Sequence, residues 1–310
     1  MTVSTYSLGH ADQIISRGDT KIATRTCGAS SDAPVLMLMG ATLSMDGWPD
    51  ELVTALAGRG LYVIRFDHRD TGQSSTVPFG QAEYTVEDMM DDTLAILDAY
   101  DLPKAHLVGM SLGGYIAQMI AVRLPERVAT VTLISSEPLG WDGPPLPHIS
   151  QEFLDHFSKL PTVDWDDPRA VTEFLMQSER LSAGSGGEFD ENRAKAGVDR
   201  MLGRAQNISS MFNHGALSTT EDWAGQYRNV DQPTLVIHGE DDPILPIENG
   251  RALARSLPCA RLLSMPGVGH ELPARVLDFL TDEIAAHIGA RHLHERDRLL
   301  FRRPRPTEPQ

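Results

Sequence analysis

Three clusters of residues in this chain have the types and spacing needed for covalent chemistry. In Val108-Gly109-Met110-Ser111-Leu112-Gly113-Gly114 a serine sits between glycines where an apolar run gives way to a helical pattern. In that context G-x-S-x-G forms a sharp turn: the flanking glycines let strand and helix pass closely, and the hydroxyl stands exposed at the carboxyl end of the strand. A serine hydroxyl is a poor nucleophile until a base takes its proton, and that base needs a carboxylate to orient it. Pro266-Gly267-Val268-Gly269-His270 offers a histidine on a glycine-rich loop just ahead of the last helical segment. Leu235-Val236-Ile237-His238 opens into Gly239-Glu240-Asp241-Asp242-Pro243, a strand end carrying three adjacent acids. Asp242 is preferred over Asp241, because the proline after it and a helix starting near Pro246 fix a turn that presents one side chain inward. Glu137 is held in reserve. The predicted catalytic residues are therefore Ser111, Asp242 and His270, while His68, His106, His148, His156 and His238 read as structural or surface histidines.

Such groups, far apart in sequence, need a rigid scaffold. Val35–Met39, Leu61–Phe66 and His106–Met110 are short apolar runs without alternation, as in strands buried on both faces. Val128–Ser135, Pro233–His238 and Arg261–Met265 extend the series, and Ser16–Cys27 predicts an antiparallel pair turning at Arg17-Gly18-Asp19. Helical spacing covers Trp48–Ala57, Thr85–Tyr100, Leu112–Arg123, Ile247–Ser256 and Leu277–Ile288. Strand alternating with helix predicts an α/β fold with about eight strands, mainly parallel, and helices on both faces.

The alternation breaks between 138 and 227. Prolines 138, 144, 145 and 147 open this stretch, and Ser182-Ala183-Gly184-Ser185-Gly186-Gly187 reads as a flexible link within it. Its apolar residues, among them Phe153, Phe157, Phe174, Leu175, Met211 and Phe212, predict short helices whose stripes are chiefly their own small core, in an insertion expected to roof the site over a hydrophobic ligand larger than acetate esters. The expected organisation is a core of residues 1–137 and 228–290, a helical cap of 138–227, and a solvated, mobile, Arg-rich tail of 291–310.

With 43 acidic and 27 basic residues among 310, the formal charge is −16. That balance argues against docking on nucleic acid or anionic membrane. The two cysteines, Cys27 and Cys259, are expected to be reduced and mostly buried. Met1–Arg17 lacks a basic start followed by an apolar core, and no apolar run is long enough to span a bilayer, so a cytoplasmic protein is expected. No metal-ligand spacing, dinucleotide fingerprint or P-loop occurs, so neither cofactor nor metal is expected.

The order Ser111, Asp242, His270, on those strand ends, resembles the α/β-hydrolase fold family over essentially the whole chain apart from the tail. Family members commonly carry His-Gly after the third strand, whereas Met39-Gly40-Ala41-Thr42-Leu43 has methionine in place of that histidine. With Phe66-Asp67-His68-Arg69-Asp70-Thr71-Gly72-Gln73-Ser74, this loop is similar to the group containing aclacinomycin methylesterase, which cleaves esters of polyketide and other secondary metabolites. The resemblance implies an oxyanion hole formed by the Ala41 and Leu112 N–H groups, each donor worth roughly 3 to 4 kcal/mol in comparable enzymes. It also implies a small-molecule ester substrate and two-step acyl transfer without a cofactor. Thr42 and Leu43, beside Leu112, are the candidate substrate contacts, whereas Asp67, Arg69, Asp70 and Thr71 read as a hydrogen-bonded turn bracing the strand end. The same machinery serves lactonases, carbon–carbon bond hydrolases, amidases and perhydrolases; a reading of another class is a small-molecule receptor with little or no turnover.

Overall fold

The computed structural model describes residues 11–300, with side chains through 289. Eight strands form one sheet: β1 (Ala11–Arg17), β2 (Thr20–Cys27), β3 (Ala33–Leu38), β4 (Leu61–Phe66), β5 (Ala105–Met110), β6 (Val128–Ile134), β7 (Thr234–Gly239) and β8 (Ala260–Met265). Their spatial order is β1-β2-β4-β3-β5-β6-β7-β8. β2 runs antiparallel to both β1 and β4, and every other neighbouring pair is parallel.

The unbroken apolar runs are explained by helices on both faces. Side chains alternate along each strand, so Leu36 and Leu38 point to a layer built by α2 (Val86–Ala99), α3 (Leu112–Arg123) and α7 (Glu248–Ser256). Val35 and Met37 point to the opposite layer, built by α1 (Asp50–Gly58) and α8 (Leu277–Leu300). β4 to β7 are buried along their entire lengths; β8 closes the edge and is only partly covered. α2 starts at a capping box, in which the Thr85 hydroxyl accepts from the Asp88 N–H and the Asp88 carboxylate accepts from the Thr85 N–H.

Between β6 and β7 lie α4 (Gln151–Phe157), α5 (Pro168–Ser182), α6 (Glu191–Arg204) and a 3-10 turn, Ser209–Ala216. They share a separate apolar cluster that includes Phe174, Leu175, Met201 and Phe212. Arg204 ties this cluster to the sheet: its guanidinium donates to Asp46 at 2.6 Å and to the buried Asp67 at 2.8 Å. Burial pushes the Asp67 carboxyl up even so, but both oxygens are occupied, by the Met45 and Gln73 N–H groups and by Arg204.

Three expectations change. Ser182–Gly187 is not a loose link but is hydrogen-bonded to neighbouring loops, as described below. Cys27 is buried, but Cys259, just ahead of the partly covered edge strand β8, is exposed. α8 continues past Arg291 to Leu300, and the rest of the predicted tail lies outside the described residues. Among the described residues no helix is long and apolar enough to cross a membrane.

Candidate active site

Ser111 occupies the one-residue hinge between β5 and α3, with φ 51° and ψ −121°. Few residues other than glycine adopt such a backbone, and it persists only where the surroundings enforce it. Here the Ser111 N–H donates to Ile134 O at 2.9 Å, while its carbonyl accepts from the Gly114 N–H, the Tyr115 N–H and the Ser136 hydroxyl. Close packing completes the constraint: a Cβ on Gly113 would lie 2.1 Å from Leu38 O, and one on Gly109 2.4 Å from Gly113 O.

His270 and Asp242 meet although 28 positions apart, with Nδ1 and Oδ2 separated by 2.7 Å. The other carboxylate oxygen of Asp242 accepts from the Ile244 and Leu245 N–H groups, at 2.9 and 2.8 Å, across the turn that Pro243 opens. Burial opposes its charge, but His270 and these donors hold the carboxyl below the usual carboxylate range. The alternative acids serve elsewhere. Asp241 points outward and accepts from the Ser185 N–H and hydroxyl, and Glu137 faces His148 at 3.5 Å. His238 stays structural: burial pushes its pKa down, and its Nε2 bonds to Leu245 O at 2.6 Å.

Ser111 and His270 line a single cavity of about 1360 Å³, and so do Ala41, Thr42, Leu43 and Leu112. Gly40 brings the β3 loop onto the serine, since a Cβ there would stand 3.2 Å from Ser111 Cβ. Among the described residues, neither the Ala41 nor the Leu112 N–H has an intramolecular acceptor. Ser111, the carboxylate-held His270, Ala41 and Leu112 therefore line one cavity. Between them they offer a nucleophile, a proton acceptor and donors for a developing oxyanion.

The turn after β4 lies behind the site rather than in it. Thr71 Oγ1 donates to His68 O at 2.8 Å, Arg69 pairs with Asp92, and Asp70 accepts from Val77 N, Tyr84 OH and Asn213 Nδ2. None of Asp67, Arg69, Asp70 or Thr71 lines the cavity, in keeping with a bracing role.

Two groups escaped the sequence reading. His214, in the 3-10 turn of the insertion, accepts the Thr42 N–H on Nδ1 at 3.1 Å. It carries no motif, and 172 positions separate it from its partner, so only folding reveals the contact. Glu179, on α5, faces the cavity, where burial and the neighbouring Glu271 push its carboxyl up to about 7. The insertion does cover the cavity, and individual side chains expected to serve its own core, Phe153, Phe157, Leu175, Met211 and Phe212, line the cavity as well.

Residues 33–273 match the family described as alpha/beta hydrolase fold. The chain is 33% identical over 297 residues to rhodomycin D methylesterase DauP of Streptomyces sp. (strain C5), covering 90% of this chain and 98% of that protein. Identity and coverage are the same for rhodomycin D methylesterase DnrP of Streptomyces peucetius. Among solved structures, an esterase from Exiguobacterium antarcticum superposes with a TM-score of 0.75 at 20% identity, covering 90% of this chain and all of that one.

Proposed function

We propose that this chain, which belongs to the α/β-hydrolase fold family and is an ester hydrolase similar to the methylesterases, acts on a small-alcohol ester of a bulky, largely apolar metabolite of polyketide type. The observation that carries the chemistry is the 2.7 Å contact between His270 and Asp242 at the wall of a cavity that Ser111 also lines. Two features support the substrate class. The two relatives are named for methyl ester cleavage on rhodomycin D. The cavity, about 1360 Å³ with phenylalanine side chains in its roof, exceeds the several hundred to about 1000 Å³ of most small-molecule pockets.

The reaction follows from the donors and acceptors. Asp242 accepts the Nδ1–H of His270, leaving Nε2 to take the Ser111 proton as Oγ attacks the ester carbonyl. Negative charge gathers on the former carbonyl oxygen, where the Ala41 and Leu112 N–H groups receive it. Collapse returns the proton to the departing alcohol and leaves an acyl-serine. Water, deprotonated by the same imidazole, then attacks the acyl carbonyl and releases the carboxylic acid with the serine restored.

The test pairs labelling with a substrate panel. A fluorophosphonate should modify Ser111, mapped by peptide mass spectrometry, and methyl esters of polycyclic acids should outperform p-nitrophenyl acetate and simple lactones in kcat/KM. Labelling at another residue would overturn the mechanism. Preference for lactones or short acyl chains would overturn the substrate class alone.

A further inference from the structure

We infer that His214, supplied by the insertion, is a positioning residue that sets the Ala41 donor of the oxyanion hole; this rests on the hydrolytic reading above. Three successive peptide units, from Met39 to Thr42, form the loop. The first, Met39 C=O with Gly40 N–H, is held where His68 Nε2 meets Met39 O at 3.0 Å. The third, Ala41 C=O with Thr42 N–H, is held by the Thr42 N–H donating to His214 Nδ1 at 3.1 Å. Between them lies the unit carrying the Ala41 N–H, which has no intramolecular acceptor among the described residues. Fixing both neighbours narrows its direction to the few orientations sterically open to ψ of Gly40 and φ of Ala41.

The restraint has to work against the backbone, because Thr42 is held at φ 64°, a conformation that side-chain-bearing residues rarely adopt. The tautomer of His214 is dictated by its partners. Nδ1 must be bare to accept the Thr42 N–H, so Nε2 carries the hydrogen and donates it to Arg69 O, 2.7 Å away. Arg69 O in turn lies in the turn braced by Asp70 and Thr71. The ring is buried and meets His68 edge-on at 6.2 Å, so two imidazoles brace the loop from Met39 to Thr42. A loop of this kind makes oxyanion geometry depend on docking of the insertion.

His214→Phe keeps the ring's bulk but lacks the acceptor; His214→Asn offers its amide oxygen near the place of Nδ1. With a p-nitrophenyl ester, His214→Phe should lower kcat about 10- to 100-fold while KM changes less than about threefold. Affinity for a boronic acid transition-state analogue should fall in parallel, and His214→Asn should recover at least part of both losses. Wild-type kcat in His214→Phe, or equal losses in the two variants, overturns the inference while leaving the hydrolytic reading intact. Absence of ester turnover in the unaltered protein sinks that reading and this one together. Should neither variant fold, 15N NMR of the unaltered protein decides: an unprotonated Nδ1 with a scalar coupling to the Thr42 N–H is expected, and a protonated Nδ1 overturns the assignment.

Discussion

The backbone N–H of His270 donates to the carbonyl of Ser182, 2.8 Å away, fastening the loop that carries the imidazole to the last residue of α5. Around this contact the two segments interlock: the Gly186 N–H donates to Gly267 O at 2.8 Å, the Gly184 N–H to Glu271 at 3.0 Å, and Ser185 bonds to Asp241. The segment roofing the cavity thus also holds the histidine, and a change at the seam should reach the chemistry.

Gly269→Ala tests that seam. Its Cβ would fall 2.1 Å from Ser182 O, against backbone that cannot swing aside. Displacing His270 by even a fraction of an ångström should lower kcat at least about tenfold, since a misplacement near 1 Å can lose about a hundredfold. Steady-state kinetics beside far-ultraviolet circular dichroism would separate this from unfolding; unchanged kcat would show that the seam does not position the imidazole.

The two adjacent aspartates should differ sharply. Asp242→Asn leaves His270 without a carboxylate partner on Nδ1 and should reduce kcat by about 10³- to 10⁴-fold. Asp241→Asn weakens the Ser185 side of the seam but keeps an acceptor oxygen there and leaves the His270–Ser182 and Gly186–Gly267 backbone bonds in place, so it should stay within about threefold of the parent. A comparable loss in both would reassign the acid.

Gly113→Ala should damage the fold before the chemistry. The added methyl meets Leu38 O at 2.1 Å, carbonyl oxygen of a central strand. Overpacking of a close core contact destabilises by about 1 to 3 kcal/mol and occasionally more, and with backbone on both sides the upper end is expected. Urea denaturation followed by fluorescence measures it, and a shift below about 0.5 kcal/mol would show that α3 has room to move.

Acid should loosen the protein through its buried imidazoles. Burial, together with the adjacent His214, pushes the His68 pKa down to about 3, far below the usual value of 6.5. Between those values the unfolded chain binds a proton that the folded chain refuses, so stability falls as pH drops through that window. By pH 5 His68 alone should remove about 2 kcal/mol, and His214, His238 and His287, also pushed down chiefly by burial, act in the same direction. Unfolding free energies at pH 7, 6 and 5 should decline, and less steeply in His68→Gln. An equal slope in that variant would remove His68 from the account.

Glu179 should confer a charge preference near neutrality. With its carboxyl pushed up to about 7, it gains negative charge between pH 6 and 8 while facing the cavity beside Glu271. Over that range KM for an amine-bearing ester should fall by about two- to fivefold relative to a neutral isostere. Glu179→Gln should abolish the difference. A ratio independent of pH would place the carboxyl out of reach of substrate.

Much of this architecture is written in local pattern. The unbroken apolar runs Leu61–Phe66 and His106–Met110 announce strands covered on both faces, and the serine between glycines announces the hinge, because only such a composition lets backbone pass backbone. That Asp242 turns inward to His270 and Asp241 outward to Ser185 is legible because a proline follows one of them and not the other. These are properties of neighbours along the chain, and neighbours are what a sequence displays.

The rest depends on residues that come together only when the sheet is assembled. Nothing near His214 signals that its ring will meet the Thr42 N–H, and the serines and glycines of Ser182–Gly187 read as slack until the His270 loop is laid against them. Composition likewise implied two sheltered thiols, whereas Cys259 is exposed just ahead of the edge strand β8. Local sequence decides which backbone shapes are affordable; the register of the insertion on the sheet decides which distant polar groups become partners, because a hydrogen bond across 172 positions carries no pattern of its own.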